Sequence, residues 1–389
     1  MIQPREKERG EARRAERKPK YVRLLSVFVA WLLLCLTGCG YDASSSKEPF
    51  EQDPATTELV IDRTLAQAIR IAEGLPEDAP LTKDFAASVT ELSLWDGVKI
   101  NSLDGISQFT ALERLTATET NCWDIGELAL MPSLTSIDIS WSYITEIPDF
   151  SGCPFLTELY LSANCITDVT PLCKAPSLRN VYLSNNRIVS VAPLKDITFL
   201  EGLCLDNNGI VDYAVIRDNR PLCEALDALS QAPFSDALKT EEKAKAIVEA
   251  EICATMTPEQ KLARLYSYVI DHAVFYDGFR PAEAFGYGIL FQGRGVCGDY
   301  AEALCLLARH AGLQCQVIYS DTHAFNAVEL HGAWYLVDSL WDDTGGDWEY
   351  FGFSTETALS SPPHVYDTER YPVAAQALSP ATQPESGHE

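Results

Sequence analysis

The chain has 389 residues, 47% of them hydrophobic, which is enough apolar material for two or three domains of ordinary composition. It carries 30 lysines and arginines against 56 aspartates and glutamates, a formal net charge of −26 at pH 7. A surface this acidic repels phosphate backbones, so nucleic acid is excluded as an expected partner.

The first 38 residues are typical of an export signal rather than of a folded domain. A basic stretch precedes an apolar run over 24–36, which is too short to span a bilayer. The run leads into Leu-Thr-Gly-Cys39, which resembles a bacterial lipobox. We therefore predict a lipoprotein signal peptide over 1–38, lipid attachment at Cys39 on the outer face of a bacterial membrane, and a flexible tether over 39–56. An ordinary secretory signal and a membrane anchor are the alternatives.

Leucines then recur at a strict spacing of 22 residues, at Leu112, Leu134, Leu156, Leu178 and Leu200. Each opens a short alternating apolar run, and eight residues after the last three leucines stand Asn164, Asn186 and Asn208. The alternating run predicts a short strand that faces a core. The asparagine is expected to turn inward, where its amide satisfies the bent backbone between neighbouring coils.

This pattern resembles the leucine-rich repeats of internalin-like bacterial surface proteins. The resemblance implies a solenoid over 89–216 with a helical cap over 57–88, whose concave face binds a protein or cell-wall ligand. Thr120 and Ser142 stand where later coils have asparagine, and Asn101 lies off register. The sequence therefore leaves open whether the early coils are irregular.

The character of the sequence changes after the repeats. Residues 217–257 have helical apolar spacing and predict a helical connector, and a helix start with proline in its first turn follows at Thr257. The last residues are mostly Ala, Ser, Pro, Gln and Glu, so a disordered tail is expected over 368–389.

Three short segments in between carry residues suited to covalent catalysis. Cys297 follows a glycine-rich turn and opens a predicted helix, whose dipole and free backbone N–H groups stabilise a thiolate. His331-Gly332 predicts a two-residue hairpin turn. That turn makes His323 and Asp338 diagonal neighbours on adjacent strands, about 7–8 Å apart before side-chain reach. Asp338 is then expected to orient the imidazole toward the thiol.

Gly295-Val296-Cys297, His323-Ala324-Phe325-Asn326 and Trp334-Tyr335-Leu336-Val337-Asp338 together resemble the transglutaminase-like superfamily. Phe325 departs from the usual tryptophan but remains aromatic. The resemblance implies a papain-like domain over 258–367, a catalytic triad of Cys297, His323 and Asp338, and acyl transfer from a protein or cell-wall substrate. The expected fold class is α+β, a leucine-rich repeat solenoid followed by this domain.

The resemblance does not choose between crosslinking, deamidation and hydrolysis. A non-enzymatic adhesin with an inactive scaffold is the alternative function, and a purely structural lipoprotein is a third. Weaker candidates are Tyr287 and Gln292 as oxyanion donors and Trp334 and Trp341 as walls of an acyl-donor groove, with packing as the alternative role for all four.

No cofactor and no metal are expected. The cysteines form no C-x-x-C pair and no regular framework, which argues against structural zinc and a dense disulfide scaffold. Asp342, Asp343 and Asp347 offer oxygen atoms suited to calcium, but solvated turn residues are the favoured interpretation.

Overall fold

The computed structural model describes residues 57–94, 98–278, 286–345 and 348–378. The predicted signal peptide, Cys39 and the tether lie outside the described residues. Within the described ranges, no helix has both the length and the apolar character that a bilayer crossing requires.

Two helices cover the first coil of the repeat region, α1 (Arg63–Ala72) and α2 (Lys83–Ser88). The Asp62 carboxylate caps α1, because it accepts hydrogen bonds from the backbone N–H groups of Thr64 and Leu65. Leu65 and Ile69 are fully buried in the core of the repeats. The helices thus shield apolar side chains that the first coil would otherwise expose.

The repeats form a parallel sheet of very short strands, one from each coil. In the described part of the chain they are β1 (Glu91–Ser93), β2 (Arg114–Thr116), β3 (Ser136–Asp138), β4 (Glu158–Tyr160), β5 (Asn180–Tyr182) and β6 (Gly202–Cys204). Residues 22 positions apart pair from β2 to β6, so that Leu115, Ile137 and Leu159 lie side by side in the core. The predicted solenoid is confirmed.

Inward-facing polar side chains join successive coils along one edge of this sheet. The Asn186 side-chain amide donates to the carbonyls of Leu161 and Leu183, at 2.9 and 3.0 Å, and its oxygen accepts from the Ile166 N–H at 2.9 Å. Asn164 and Asn208 repeat this arrangement. In the early coils, the buried hydroxyls of Thr120 and Ser142 hydrogen-bond each other at 2.8 Å. Thr120 and Ser142 therefore keep the register of the later asparagines, and the early coils are not irregular at these two positions.

A helical segment links the solenoid to the next domain through α3 (Arg220–Leu229) and α4 (Phe234–Glu251). A Cβ atom at Gly202 would lie 2.5 Å from Leu229 Cδ1, so the glycine gives α3 room to pack closely on β6. Helix α4 is shared between the two cores, because Phe234 packs in the solenoid core and Ala244 in the next.

The C-terminal domain packs helices against an antiparallel sheet in which strands consecutive along the chain lie side by side. Its described helices are α5 (Pro258–His272), α6 (Cys297–His310), α7 (Ser339–Gly345) and α8 (Thr355–Ser360). Its described strands are the parallel pair β7 (Val274–Phe275) and β8 (Arg294–Gly295), and the sheet strands β9 (Gln314–Tyr319), β10 (Ala324–Leu330), β11 (Ala333–Val337) and β12 (Phe351–Phe353). A single turn of π-helix, Gly288–Gln292, precedes β8.

The segment after α8 corrects the expectation of a disordered tail from residue 368. Ala374 is 1% exposed, and its N–H donates to Thr355 Oγ1 at 2.8 Å. Leu378 is buried against Gly352, whose carbonyl accepts its N–H at 2.7 Å. The composition was misleading because a few apolar contacts and backbone hydrogen bonds hold this segment without any periodic pattern. Residues 379–389 lie outside the described residues.

Candidate active site

The thiol of Cys297 stands at the first residue of α6 and is half-buried. Glycine precedes it for a steric reason, since a Cβ atom at Gly295 would lie 2.5 Å from the Asp299 Cβ. The Asp299 carboxylate accepts the Val296 N–H at 2.7 Å and so caps the helix. The local sequence thereby places the thiol where the backbone N–H groups of a helix N-terminus are free to stabilise negative charge.

The hairpin of β10 and β11 brings His323 and Asp338 together. Leu330 pairs with Ala333, and the two residues between them, His331 and Gly332, both have positive φ, at 52° and 83°. This is the two-residue turn that the sequence predicts. His323 directly precedes β10 and Asp338 directly follows β11, so their side chains meet where the two strands open.

The His323 imidazole contacts both other members of the predicted triad. Its Nε2 lies 2.5 Å from Asp338 Oδ2, and the Cys297 thiol lies close enough to the ring to raise the pKa of the imidazole. Because Nε2 serves the carboxylate, Nδ1 is the nitrogen left for the thiol. Burial disfavours the imidazolium, but the hydrogen bonds and charges of Asp338 and Cys297 outweigh burial and raise the pKa of His323 to about 9.

The Asp338 carboxylate is 2% exposed and fully engaged. Its Oδ1 accepts the backbone N–H groups of Leu340 and Trp341 at 3.1 and 3.2 Å, so the same side chain caps α7. Burial opposes its ionisation, but hydrogen bonds from His323 and from His364 outweigh burial and lower the pKa of Asp338. The site therefore holds a carboxylate anion beside an imidazolium.

His364 is the functional candidate that sequence reasoning missed. It is 0% exposed, and its Nε2 lies 2.8 Å from the same Asp338 oxygen that contacts His323. No motif surrounds it, and 26 residues separate it from Asp338. The contact arises only from the path of the chain after α8. In the described part of the chain, His323, Asp338 and His364 also form a group whose atoms are close enough to ligate a metal ion.

Aromatic rings line one side of this cluster. The Trp341 ring lies 6.0 Å from the His323 ring and 4.7 Å from the His364 ring. Trp334 instead packs against a small core that contains Phe325 and Phe353. Tyr287 stacks on Phe291 before β8, and Gln292 lies exposed at the end of the π-helical turn. The oxyanion roles of Tyr287 and Gln292 stay predictions.

Asp342 and Asp343 are not solvated turn residues, and that prediction is wrong. Both lie on α7. Asp342 is 4% exposed, accepts the Tyr266 hydroxyl at 2.5 Å, and has its pKa raised to about 6 by burial. Asp343 accepts the Tyr300 hydroxyl at 2.7 Å. These aspartates therefore fasten α7 to α5 and α6, which fixes the helix that Asp338 caps. Asp347 lies outside the described residues.

Comparison with known proteins gives matches to separate parts of the chain. Residues 245–344 match the family model of the transglutaminase-like superfamily, while no curated protein matches the chain. Among solved structures, an internalin (inlF) from Listeria monocytogenes is 27% identical over 42% of this chain and 47% of its own, with a TM-score of 0.37. Internalin C2 from the same organism is 25% identical over 42% of this chain and 69% of its own, with a TM-score of 0.36.

The matched region thus spans about half the length of the first internalin. The superposition scores carry no argument by themselves, and the solenoid is established by the parallel strands and their spacing. Cys297, His323 and Asp338 all lie inside the segment that the family model matches. Residues 245–344 therefore form a transglutaminase-like domain.

Proposed function

We propose that this chain is a cysteine-dependent acyl transferase that acts on carboxamide groups of protein or cell-wall substrates. The observation that carries the proposal is the position of the His323 imidazole, which lies 2.5 Å from Asp338 Oδ2 and close enough to the Cys297 thiol for that thiol to raise the pKa of the ring. A nucleophile, a base and a group that orients the base are the minimum for this chemistry.

In the first half-reaction, the Cys297 thiolate attacks the carbonyl carbon of the carboxamide, and a C–S bond forms. The tetrahedral intermediate collapses with cleavage of the C–N bond, and the His323 imidazolium gives its proton to the departing ammonia or amine. With its pKa raised to about 9, His323 is largely protonated at neutral pH and is therefore ready to act as this acid. The product is a thioester on Cys297.

In the second half-reaction, neutral His323 takes a proton from water or from a lysine amine as that group attacks the thioester. The C–S bond breaks, and the proton on His323 restores the imidazolium–thiolate pair. Water gives hydrolysis or deamidation and an amine gives a crosslink. Asp338 remains ionised throughout and holds Nε2, so that Nδ1 stays directed at the thiol.

We further propose that the solenoid binds the protein or cell-wall partner that delivers the substrate, and that lipid on Cys39 anchors the chain to the outer face of a bacterial membrane. The first proposal is supported by the parallel sheet of stacked repeats, an architecture that offers an extended binding surface, and the second by the Leu-Thr-Gly-Cys39 sequence alone. Fatty-acid labelling of the full-length chain, with Cys39→Ser as the unlabelled control, tests the anchor.

The proposed activity is tested by thiol reactivity and by turnover. Iodoacetamide at pH 7 should alkylate Cys297 faster than Cys173, an exposed cysteine on the solenoid. A glutamine-containing peptide incubated with a lysine-like amine should release ammonia. Cys297→Ala should abolish the release, and Cys173→Ala should leave it unchanged. Equal labelling of the two thiols, with no ammonia released from the glutamine peptide in the presence of any acceptor, would instead favour the non-enzymatic adhesin.

A further inference from the structure

Asp338 is shared by two buried histidines on the same carboxylate oxygen. His323 Nε2 lies 2.5 Å from Oδ2 and His364 Nε2 lies 2.8 Å from it, and the two rings meet edge to face with centroids 5.2 Å apart. The position of His323 is explained by its proposed proton transfers beside the Cys297 thiol. Nothing in the two half-reactions accounts for His364, which has no surface exposed to solvent or substrate.

We propose that His364 is a positioning residue, which fixes the orientation of the Asp338 carboxylate and thereby the orientation and tautomer of His323. The inference rests on the proposed function, because it gives His364 a role only if the Cys297–His323 pair is reactive.

The hydrogen bonds determine where the protons lie. An ionised carboxylate only accepts, so both histidines donate to Oδ2 from Nε2. Oδ1 is already occupied by the N–H groups of Leu340 and Trp341. His364 Nδ1 is buried and has no hydrogen-bond partner among the described residues. A proton on Nδ1 would be a buried, unpaired donor, so His364 fits as a neutral imidazole with its one proton on Nε2.

His364 is held as rigidly as a positioning role requires. Its ring stacks on Tyr350 at 5.1 Å and packs against Phe325 and Phe353 at 5.2 and 5.3 Å. Ser320 ties the two histidine segments together, because its hydroxyl donates to the Pro363 carbonyl at 2.8 Å and accepts the His323 N–H at 3.1 Å. A displacement of His364 would therefore be transmitted to the carboxylate and to the catalytic ring.

The distances favour shared protons over a shared metal ion. Both nitrogens lie within hydrogen-bond distance of one carboxylate oxygen. A metal ion bound between these three atoms would hold each nitrogen farther from the oxygen than a hydrogen bond does. Zinc in this group would also replace the Nε2 protons that orient His323. The two possibilities differ in a measurable way, since only the second requires metal in the purified protein.

The test compares two variants of the full chain in which one keeps the donor and the other keeps the ring. His364→Gln places an amide N–H near the position of Nε2, and His364→Phe fills the space without a donor. The readout is the rate of Cys297 alkylation by iodoacetamide against pH. Besides His323 and His364, the titratable groups that face Asp338 are Tyr266, Tyr350 and Asp342, and all three are unchanged in both variants.

Loss of the donor should destabilise the Asp338 anion, so the acid limb of the profile should move to higher pH. We expect His364→Phe to slow alkylation about tenfold on that limb, from the loss of one hydrogen bond to a charged group, and His364→Gln to stay within about twofold of the wild type. Equal profiles for the wild type and His364→Phe would overturn the inference, as would stoichiometric zinc whose removal changes the alkylation rate.

Two further results keep the inference testable. If His364→Phe does not fold, the histidine tautomers of the wild-type chain can be read from ¹⁵N NMR spectra. His364 should carry its proton on Nε2 at neutral pH, and a proton on Nδ1 would contradict the proposed role. If wild-type Cys297 is unreactive at every pH, the proposed function fails. If the wild type is reactive and His364→Phe alkylates at the same rate, only the positioning role of His364 is contradicted.

Discussion

His323 is the residue through which the charges of the site are coupled. It is 7% exposed and lies between a carboxylate and a thiol, so its proton is held by charge and hydrogen bonds against the cost of burial. The same proton that would serve catalysis therefore also stabilises the fold.

This coupling predicts how stability changes with pH. The pKa of His323 is raised from 6.5 to about 9, so the folded state holds the proton more tightly than the unfolded state. Its contribution is complete below about pH 6.5 and is lost as the pH rises to about 9, by at most about 1.4 kcal/mol per pH unit. Urea unfolding of the wild type and His323→Gln between these limits measures it. The difference in free energy of unfolding should shrink with rising pH, and a constant difference would contradict the raised pKa.

At the level of elements, the inward row of asparagines makes the solenoid edge a continuous hydrogen-bonded structure. Each side chain serves its own coil and the one before it, so the coils stabilise one another as neighbours. Thr120 and Ser142 extend the row with shorter side chains that bond each other. A break in the middle should therefore affect two coils at once.

Asn186→Ala tests this row. It removes four hydrogen bonds to the backbone and leaves buried groups unpaired, so we expect a loss of about 1–3 kcal/mol for each unpaired group that water cannot reach. Asn121→Ala is the matched control, because its side chain only donates to Asn101 at the surface and its loss should cost less than about 0.5 kcal/mol. Equal melting losses at the two positions would refute the role of the row.

At the scale of the whole molecule, the transglutaminase-like domain packs on the polar edge of the solenoid. Arg309 of α6 donates to the carbonyls of Asn208 and Gly209, and the Tyr143 hydroxyl donates to Asp367 at 2.6 Å. The helix that begins at Cys297 thus contacts the last repeat near its other end. Each domain has a core of its own, but α4 and this polar contact join them.

Arg309→Ala should weaken the joint. It leaves the carbonyls of Asn208, Gly209 and Cys315 without their charged donor. Each carbonyl that water cannot reach should lower the free energy of unfolding by about 1–3 kcal/mol. Arg220→Ala is the control, since that side chain is 87% exposed and its ion pair with Glu224 lies in solvent, where such a contact adds little to stability. Thermal unfolding of both variants checks this, and a loss at Arg309 no larger than at Arg220 would mean that the domains do not stabilise each other here.

The sequence by itself determined whatever repeats or lies close along the chain. Strand spacing and the asparagine positions follow from a 22-residue period, because each coil sets the register of the next. The meeting of His323 and Asp338 follows from a two-residue turn, whose backbone conformation is fixed by its own residues. The helix start at Cys297 is equally local.

Tertiary structure decided the contacts that have no local code. No motif near His364 indicates a second donor to Asp338, because His364 lies 26 positions farther along the chain, beyond α7, β12 and α8. Only its packing against Tyr350 and Phe325 and the hydrogen bond from Ser320 to the neighbouring Pro363 place it there. The burial of Asp342 could not be predicted for the same reason. An acidic side chain is expected to be solvated unless a buried partner is known, and here the partner is Tyr266, which is distant in sequence. A buried polar contact depends on both partners, and when they are distant in sequence the fold alone brings them together.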